Sequence, residues 1–228
     1  RAGLEAFEAD KAIRVIVLRG AGRVFSAGGD IKEMLADVRN REDPAAYFRA
    51  PLAAFGEMIL ALRRIPKPVV AAIHGAVAGF AFNLMLACDL RLATDSSRFT
   101  QAFIRLGLSP DGGGTWFLPR LVGMARASEL ALLPTELDAP TALEWGLINW
   151  TVPDDRFEER VAEIAATLAA GPSGAMGRAK ALLNRAWEAP LADQIEAERI
   201  AQIENADSPD FEEGLTSFVE KRDSMFAG

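Results

Sequence analysis

From Val69 to Cys88, twenty residues pass without a formal charge. Only two arrangements bury such a run well: one membrane-spanning helix, or a buried strand followed by a buried helix. The Gly75-x-x-x-Gly79 spacing is compatible with the first. Against it stand Pro66 and Pro68 at the entrance, His74 and Asn83 inside, and the glycines that split the run. The stretch therefore reads as a strand, Val69–Ile73, a glycine loop, and a helix within Gly79–Cys88.

That unit recurs. Ile13–Leu18 is a β-branched run ending in Arg19-Gly20-Ala21-Gly22, which predicts a buried strand and a glycine turn. Helical spacing follows over Ile31–Val38 and Tyr47–Ile65, the latter closed by Pro66 and Pro68. Leu90–Ala93 predicts another strand, Phe99-Thr-Gln a strand or turn, and Ile104–Leu108 leads into the loop Ser109–Thr115. Strand, glycine loop and helix in alternation make an α/β layered body, residues 1–153. From Asp154 the periodicity is helical only, as in Phe157/Val161/Ile164 and Phe211/Leu215/Phe218, so 154–228 reads as a helical region. At the other end, Leu4 and Phe7 stand at helical spacing with no cap before them, so an upstream segment is expected. No basic region followed by an apolar one marks a signal peptide, and a cytoplasmic location is expected.

Composition narrows the chemistry. Half of the 228 residues are apolar, enough for a real core without staples. One cysteine, Cys88, excludes an intramolecular disulfide and any CxxC site, and one histidine, His74, excludes multi-histidine zinc constellations. The net charge of −7 argues against nucleic acid. Residues 1–153 carry 17 basic and 16 acidic residues and 154–228 carry 8 and 16, so the excess reads as solvated helix faces. No metal or redox cofactor is implied.

Three glycine-bearing segments remain: Ser26–Asp30, Gly75–Phe80 and Pro110–Gly114. None is a Walker A loop, a GxGxxG fingerprint or a GxSxG elbow, and a Ser-His-Asp triad would have to use His74. The plainer reading of His74 is a buried polar residue at a strand end. Glycine lets a backbone N–H approach a ligand closely, so two such loops opening onto helices could supply two N–H groups to one oxygen, as an oxyanion hole requires. Taken one at a time, each loop is equally well explained as turn chemistry.

Together these segments carry a resemblance. Phe25-Ser-Ala-Gly-Gly-Asp-Ile-Lys-Glu33 resembles the F-x-A-G-x-D-[IL]-x-E segment of the crotonase (enoyl-CoA hydratase/isomerase) superfamily. Lys67-Pro-Val-Val-Ala-Ala-Ile-His-Gly75, Ala78-Gly79, Cys88-Asp-Leu-Arg91, Leu106–Thr115, Glu144–Asn149 and Phe218–Arg222 continue it in order along nearly the whole chain. The resemblance implies a β-β-α spiral core with a C-terminal helical region that trimerises, giving trimers or dimers of trimers. It implies an acyl-CoA thioester substrate, coenzyme A entering only as part of that substrate. It puts the oxyanion-hole donors at the N–H groups of Gly29 and Phe80. It puts coenzyme A against Ala27, Asp30 and Ile31, with Arg23 as a candidate phosphate partner that reads equally well as a solvated loop arginine.

The family's hydratases hold their water with two glutamates, and the matching positions here are Asn83 and Phe103. Neither can act as a base, which puts hydration in doubt. One acid is left in a plausible place, Asp111, although Pro-Asp-Gly is also a turn signature. The run Gly107–Arg120 most resembles the branch containing the 1,2-epoxyphenylacetyl-CoA isomerases, where this aspartate is the acid/base, while a dehalogenase branch places a nucleophilic aspartate near it. The expectation is an isomerase in which Phe80, Phe82, Phe103 and Trp116 wall Asp111, unless these aromatics are ordinary core. A hydratase and a non-catalytic acyl-CoA-binding protein are the alternatives.

Overall fold

In the computed structural model, residues 2–40 and 42–227 are described. In chain order the elements are α1 (Ala2–Ala9), β1 (Ile16–Arg19), α2 (Ile31–Arg39), α3 (Ala46–Arg64), β2 (Val69–Ile73), β3 (Ala76–Ala78), α4 (Phe80–Leu86), β4 (Leu90–Thr94) and β5 (Arg98–Thr100). A short 3₁₀ turn, Phe103–Leu106, leads to α5 (Gly114–Leu132), β6 (Glu136–Asp138), α6 (Ala139–Glu144) and β7 (Trp150–Val152). A second 3₁₀ turn, Asp154–Arg156, opens the run α7 (Phe157–Ala170), α8 (Ser173–Ala186), α9 (Leu191–Ala206) and α10 (Pro209–Glu220). Among the described residues, no helix is long and apolar enough to cross a membrane. The uncharged run is the buried strand β2 and the buried helix α4, as its glycines and prolines predict.

Two compact units divide the contacts: residues 17–63 with 69–161, and residues 2–16, 64–68 and 162 onward. In the first, two sheets alternate. One has the order β1-β2-β4-β7 and the other β3-β5-β6. β2 runs parallel to β4, with Val70 opposite Leu90, and β4 parallel to β7. β3 runs parallel to β5, which pairs antiparallel with β6. Every residue of β2 is buried, as a parallel strand covered on both faces requires. Phe82, Phe99, Leu92, Leu118 and Leu147 complete this core.

Two of the matching motifs serve the scaffold. Arg91, on β4, donates from Nε to the Leu147 carbonyl at 2.8 Å and from Nη1 to the Cys88 carbonyl at 2.7 Å. Asn149 Oδ1 accepts from Arg91 N at 2.8 Å, and Asp89 Oδ2 accepts from Val69 N at 2.8 Å. Burial draws the Arg91 pKa down, and the neighbouring Cys88 and Asp89 counter it. His74 ends β2 with Nε2 2.9 Å from the Gly22 carbonyl and its ring against Phe157. The position at the strand end is as expected, but the residue is only partly buried and its Nδ1 has no partner among the described residues.

In the second unit, Arg14 donates to the carbonyls of Gly171 and Phe226 and to Ser173 Oγ. β1 starts at Ile16, whose N–H donates to the Pro68 carbonyl at 2.9 Å, and not at Ile13 as the β-branched run predicts. Lys180, buried in α8, donates to the Lys67 carbonyl at 3.0 Å. Arg178 pairs with Glu204 at 2.9 Å across α8 and α9. Phe211, Leu215 and Phe218 form an exposed apolar stripe on α10, one helical face wide.

Candidate active site

The first two glycine segments meet because residues 25–26 pair with the chain leading into and along β3. Phe25 N donates to the His74 carbonyl at 2.7 Å, and Ser26 exchanges bonds with Ala76 and Ala78. This lays Gly28 directly over Gly79: a Cβ on Gly28 would stand 3.0 Å from the Ala78 carbonyl oxygen and 3.8 Å from Gly79 Cα. With φ at +89°, position 28 is closed to side chains on both counts. Beyond it, Gly29 precedes α2 and Phe80 begins α4. Among the described residues, neither the Gly29 nor the Phe80 N–H has an intramolecular acceptor. Two donors at adjoining loops are thus left for an outside oxygen, which is the requirement of an oxyanion hole.

The third segment supplies the acid. Gly114 N donates to the Asp111 carbonyl at 2.9 Å, closing the turn that the Pro-Asp-Gly sequence predicts. Gly113, not Asp111, occupies the N-cap position of α5, so the Asp111 side chain is not spent as a cap. That side chain is half-buried, and its Oδ1 is sealed off with no hydrogen-bond partner among the described residues. Burial raises its pKa above the ordinary carboxylate range; its own backbone and the Asn83 amide pull it partly back.

Asp111 opens onto a cavity of about 140 Å³ lined by Ala27, Gly28, Gly29, Ile31, Gly79, Phe80 and Phe103, and by Tyr47, Phe48 and Phe55 of α3. Among the lining residues Asp111 carries the single carboxylate. Phe80 and Phe55 stack with ring centroids 4.1 Å apart. Asn83 is fully buried behind the site, accepting from Gln101 Nε2 at 2.9 Å and donating to the Asp111 carbonyl at 2.9 Å.

Six of the nine sequence-predicted site residues therefore surround one space: Asp111, Gly29, Phe80, Ala27, Ile31 and Phe103. Three do not line it. Asp30 caps α2, its Oδ1 accepting from Lys32 N at 2.9 Å and Glu33 N at 3.1 Å. Arg23 is exposed in the loop after β1. Trp116 packs edge-on against Phe117 at 4.9 Å, with the Arg120 guanidinium 4.3 Å over its ring. Phe82 is also corrected as a wall residue. It stands two positions from Phe80 on α4, so it points to the other side of the helix, into the core against Phe99. The aromatic residues of α3 and the Asn83–Gln101 pair escape sequence reading. The only hint of the former is three aromatics within one helix.

With this geometry in view, the chain matches the enoyl-CoA hydratase/isomerase family over residues 1–228. The chain belongs to this family. It is 43% identical over 215 residues to a Rhodobacter capsulatus protein named "Probable enoyl-CoA hydratase", covering 94% of this chain and 81% of that one. It is 38% identical over 226 residues to the 1,2-epoxyphenylacetyl-CoA isomerase of Escherichia coli, covering 99% and 85%. The crystal structure of an enoyl-CoA hydratase from Polaromonas sp. matches with a TM-score of 0.92 at 33% identity, over 99% of this chain and 86% of that one. The fold is the crotonase fold expected from the sequence. Its ββα turns are β2-β3-α4 and β4-β5-α5, and its helical region follows.

Proposed function

We propose that this member of the enoyl-CoA hydratase/isomerase family is an acyl-CoA isomerase with Asp111 as its single acid/base. The observation that carries this reading is that Asp111 is the one carboxylate among the cavity-lining residues, while the two hydratase glutamate positions hold a buried amide, Asn83, and a cavity-wall ring, Phe103.

In this mechanism the thioester carbonyl oxygen accepts hydrogen bonds from Gly29 and Phe80 N–H. Charge builds on that oxygen as the enolate forms, and each donor of this kind is worth about 3–4 kcal/mol. The Asp111 carboxylate takes the α-proton; the electron pair delocalises into the carbonyl and the neighbouring double bond. The resulting carboxylic acid returns the proton two carbons along, so the double bond moves with no gain or loss of atoms. Ring opening of an epoxide on a ring-bearing acyl group draws on the same enolate. Walls of Tyr47, Phe48, Phe55, Phe80 and Phe103 keep the carboxylate poorly solvated, which favours a base of raised pKa and disfavours attack by water.

A hydratase is the second reading, favoured by the name of the Rhodobacter capsulatus relative. Incubating the enzyme in D₂O with 2-enoyl, 3-enoyl and ring-bearing acyl-CoA thioesters separates the two. Deuterium at the α and γ carbons with no mass gain of water is the expected result. A product heavier by one water establishes the hydratase, and tight binding without exchange or turnover establishes a binding protein. Self-association belongs to the same proposal: the exposed stripe Phe211/Leu215/Phe218 on α10 fits a contact with further copies of this chain, as trimers or dimers of trimers.

A further inference from the structure

We infer that Asn83 is a positioning residue, which fixes Asp111 relative to the Phe80 N–H by holding the Asp111 main-chain carbonyl. This deepens the isomerase reading and rests on it.

Phe80 and Asn83 are three residues apart on α4, so one helical turn carries both the oxyanion donor and the amide. Asn83 is 0% exposed and both ends of its amide are engaged. Nδ2 donates to the Asp111 carbonyl at 2.9 Å, and Oδ1 accepts from the buried Gln101 Nε2 at 2.9 Å. The Gln101 donor thus sets which way the amide points. The Asp111 carbonyl takes two hydrogen bonds, one from Gly114 N within the turn and one from Asn83.

The loop is pressed onto α4 along its length. A Cβ on Gly112 would come within 2.8 Å of Phe80 Cε2, and one on Gly114 would stand 2.3 Å from Asn83 Oδ1. Only a loop of bare backbone can seat this close. The separation between the carboxylate and the oxygen held at Phe80 N–H is therefore set through one short helix. A proton shuttle that must reach two carbons of one substrate depends on that separation, and misplacement by about 1 Å costs on the order of 100-fold in rate.

The test compares Asn83→Leu, Gln101→Glu, Gln101→Met and Asp111→Asn by kcat, KM and the pH profile of kcat. Affinity for a saturated acyl-CoA, and folding by circular dichroism, are measured alongside. Asn83→Leu is expected to lower kcat by about 100-fold, with KM and saturated acyl-CoA affinity within about threefold of the parent. It is also expected to move the acid limb of the profile to higher pH, because the amide favours the ionised Asp111. Gln101→Glu leaves Asn83 in place but turns its acceptor toward a carboxylate, so the amide is driven to rotate and Oδ1 to face the Asp111 carbonyl. It is expected to lose kcat in the same direction.

If Asn83→Leu or Gln101→Glu does not fold, Gln101→Met is read instead, with an expected loss of about tenfold in kcat at unchanged KM. A folded Asn83→Leu, or in its absence Gln101→Met, with kcat within about threefold of the parent while Asp111→Asn is inactive overturns the positioning role and leaves the isomerase reading standing. Full turnover by Asp111→Asn overturns both.

Discussion

The buried cluster around Arg91 closes on itself, whereas the one around Asp111 leaves oxygens without partners. Arg91 meets the carbonyls of Leu147 and Cys88, and Asp89 meets Val69 N and Arg63. Around the candidate site, Asp111 Oδ1, Gln101 Oε1 and Thr100 Oγ1 are all buried and unpartnered among the described residues. Both clusters lie in the same α/β unit. A native core satisfies nearly all of its buried polar groups, and each satisfied group holds the fold in one arrangement. An oxygen kept from water and left unsatisfied costs stability. The first cluster is completed within the chain, and under the proposed mechanism the second is completed by substrate.

The sharpest way to break this contrast is Asp111→Asn. Turnover is expected to fall by about 10²–10⁴-fold, the usual worth of a general acid–base group. Stability should move the other way. Because the folded-state pKa of Asp111 is raised, ionising it opposes folding. The penalty is present above the folded pKa and vanishes below the unfolded carboxylate range. The variant is therefore expected to melt higher than the parent at neutral pH, with the difference closing as pH falls through that window. Thermal melts across a pH series check this, and a lower melting point at neutral pH would contradict it. In the parent, kcat/KM is expected to fall with acidification at a pH above the ordinary carboxylate range.

Arg91→Met tests the other cluster. It keeps the volume but strands two carbonyls, and about 3–5 kcal/mol of stability should be lost. That corresponds to a melting point roughly 10 °C lower. At temperatures where the variant stays folded, kcat should be unchanged. A selective loss of kcat would mean that the two clusters are not separable.

Which parts of this contrast were legible in the sequence follows from the range of the interactions. β2 and α4 were legible because an uncharged run bounded by prolines and split by glycines has few other ways to be buried. Gly28, Gly79 and Asp111 were legible as loops and an acid, and their convergence came only with the resemblance. Asn83 could be read only as a missing glutamate: its value lies in a bond to residue 111, and one amide in an apolar helix carries no trace of that partner. Trp116 and Phe82 looked like walls because aromatic residues near an acid invite that reading. The side a helical residue faces is decided by its neighbours in space, and Phe117, Arg120 and Phe99 decided these two. Phe80 and Phe103 do line the cavity, and the rest of its aromatic wall, on α3, comes from residues about fifty or more positions before Asp111.

Phe55→Ala probes that wall. Removing the ring stacked on Phe80 deletes an aromatic pair worth about 0.5–1.5 kcal/mol and opens the cavity, at a total cost of roughly 1–3 kcal/mol because Phe55 is only partly buried. Longer acyl thioesters should gain in kcat/KM relative to short ones. An unchanged ranking of acyl lengths would place the acyl group elsewhere.

The smallest expected effect separates two roles for Asp30. Its carboxylate accepts from Lys32 N and Glu33 N and so caps α2, next to the Gly29 donor. Asp30→Ala should cost about 1 kcal/mol, confined to α2, and raise amide exchange over residues 31–39. Serine is as good a cap as aspartate. Asp30→Ser should therefore restore both the exchange protection and the KM for acyl-CoA. If the carboxylate instead contacts coenzyme A, serine will restore protection in α2 while KM stays raised. The cap and the contact thus give different answers in one pair of variants, and the geometry favours the cap, because the acid already has two backbone donors and does not line the cavity.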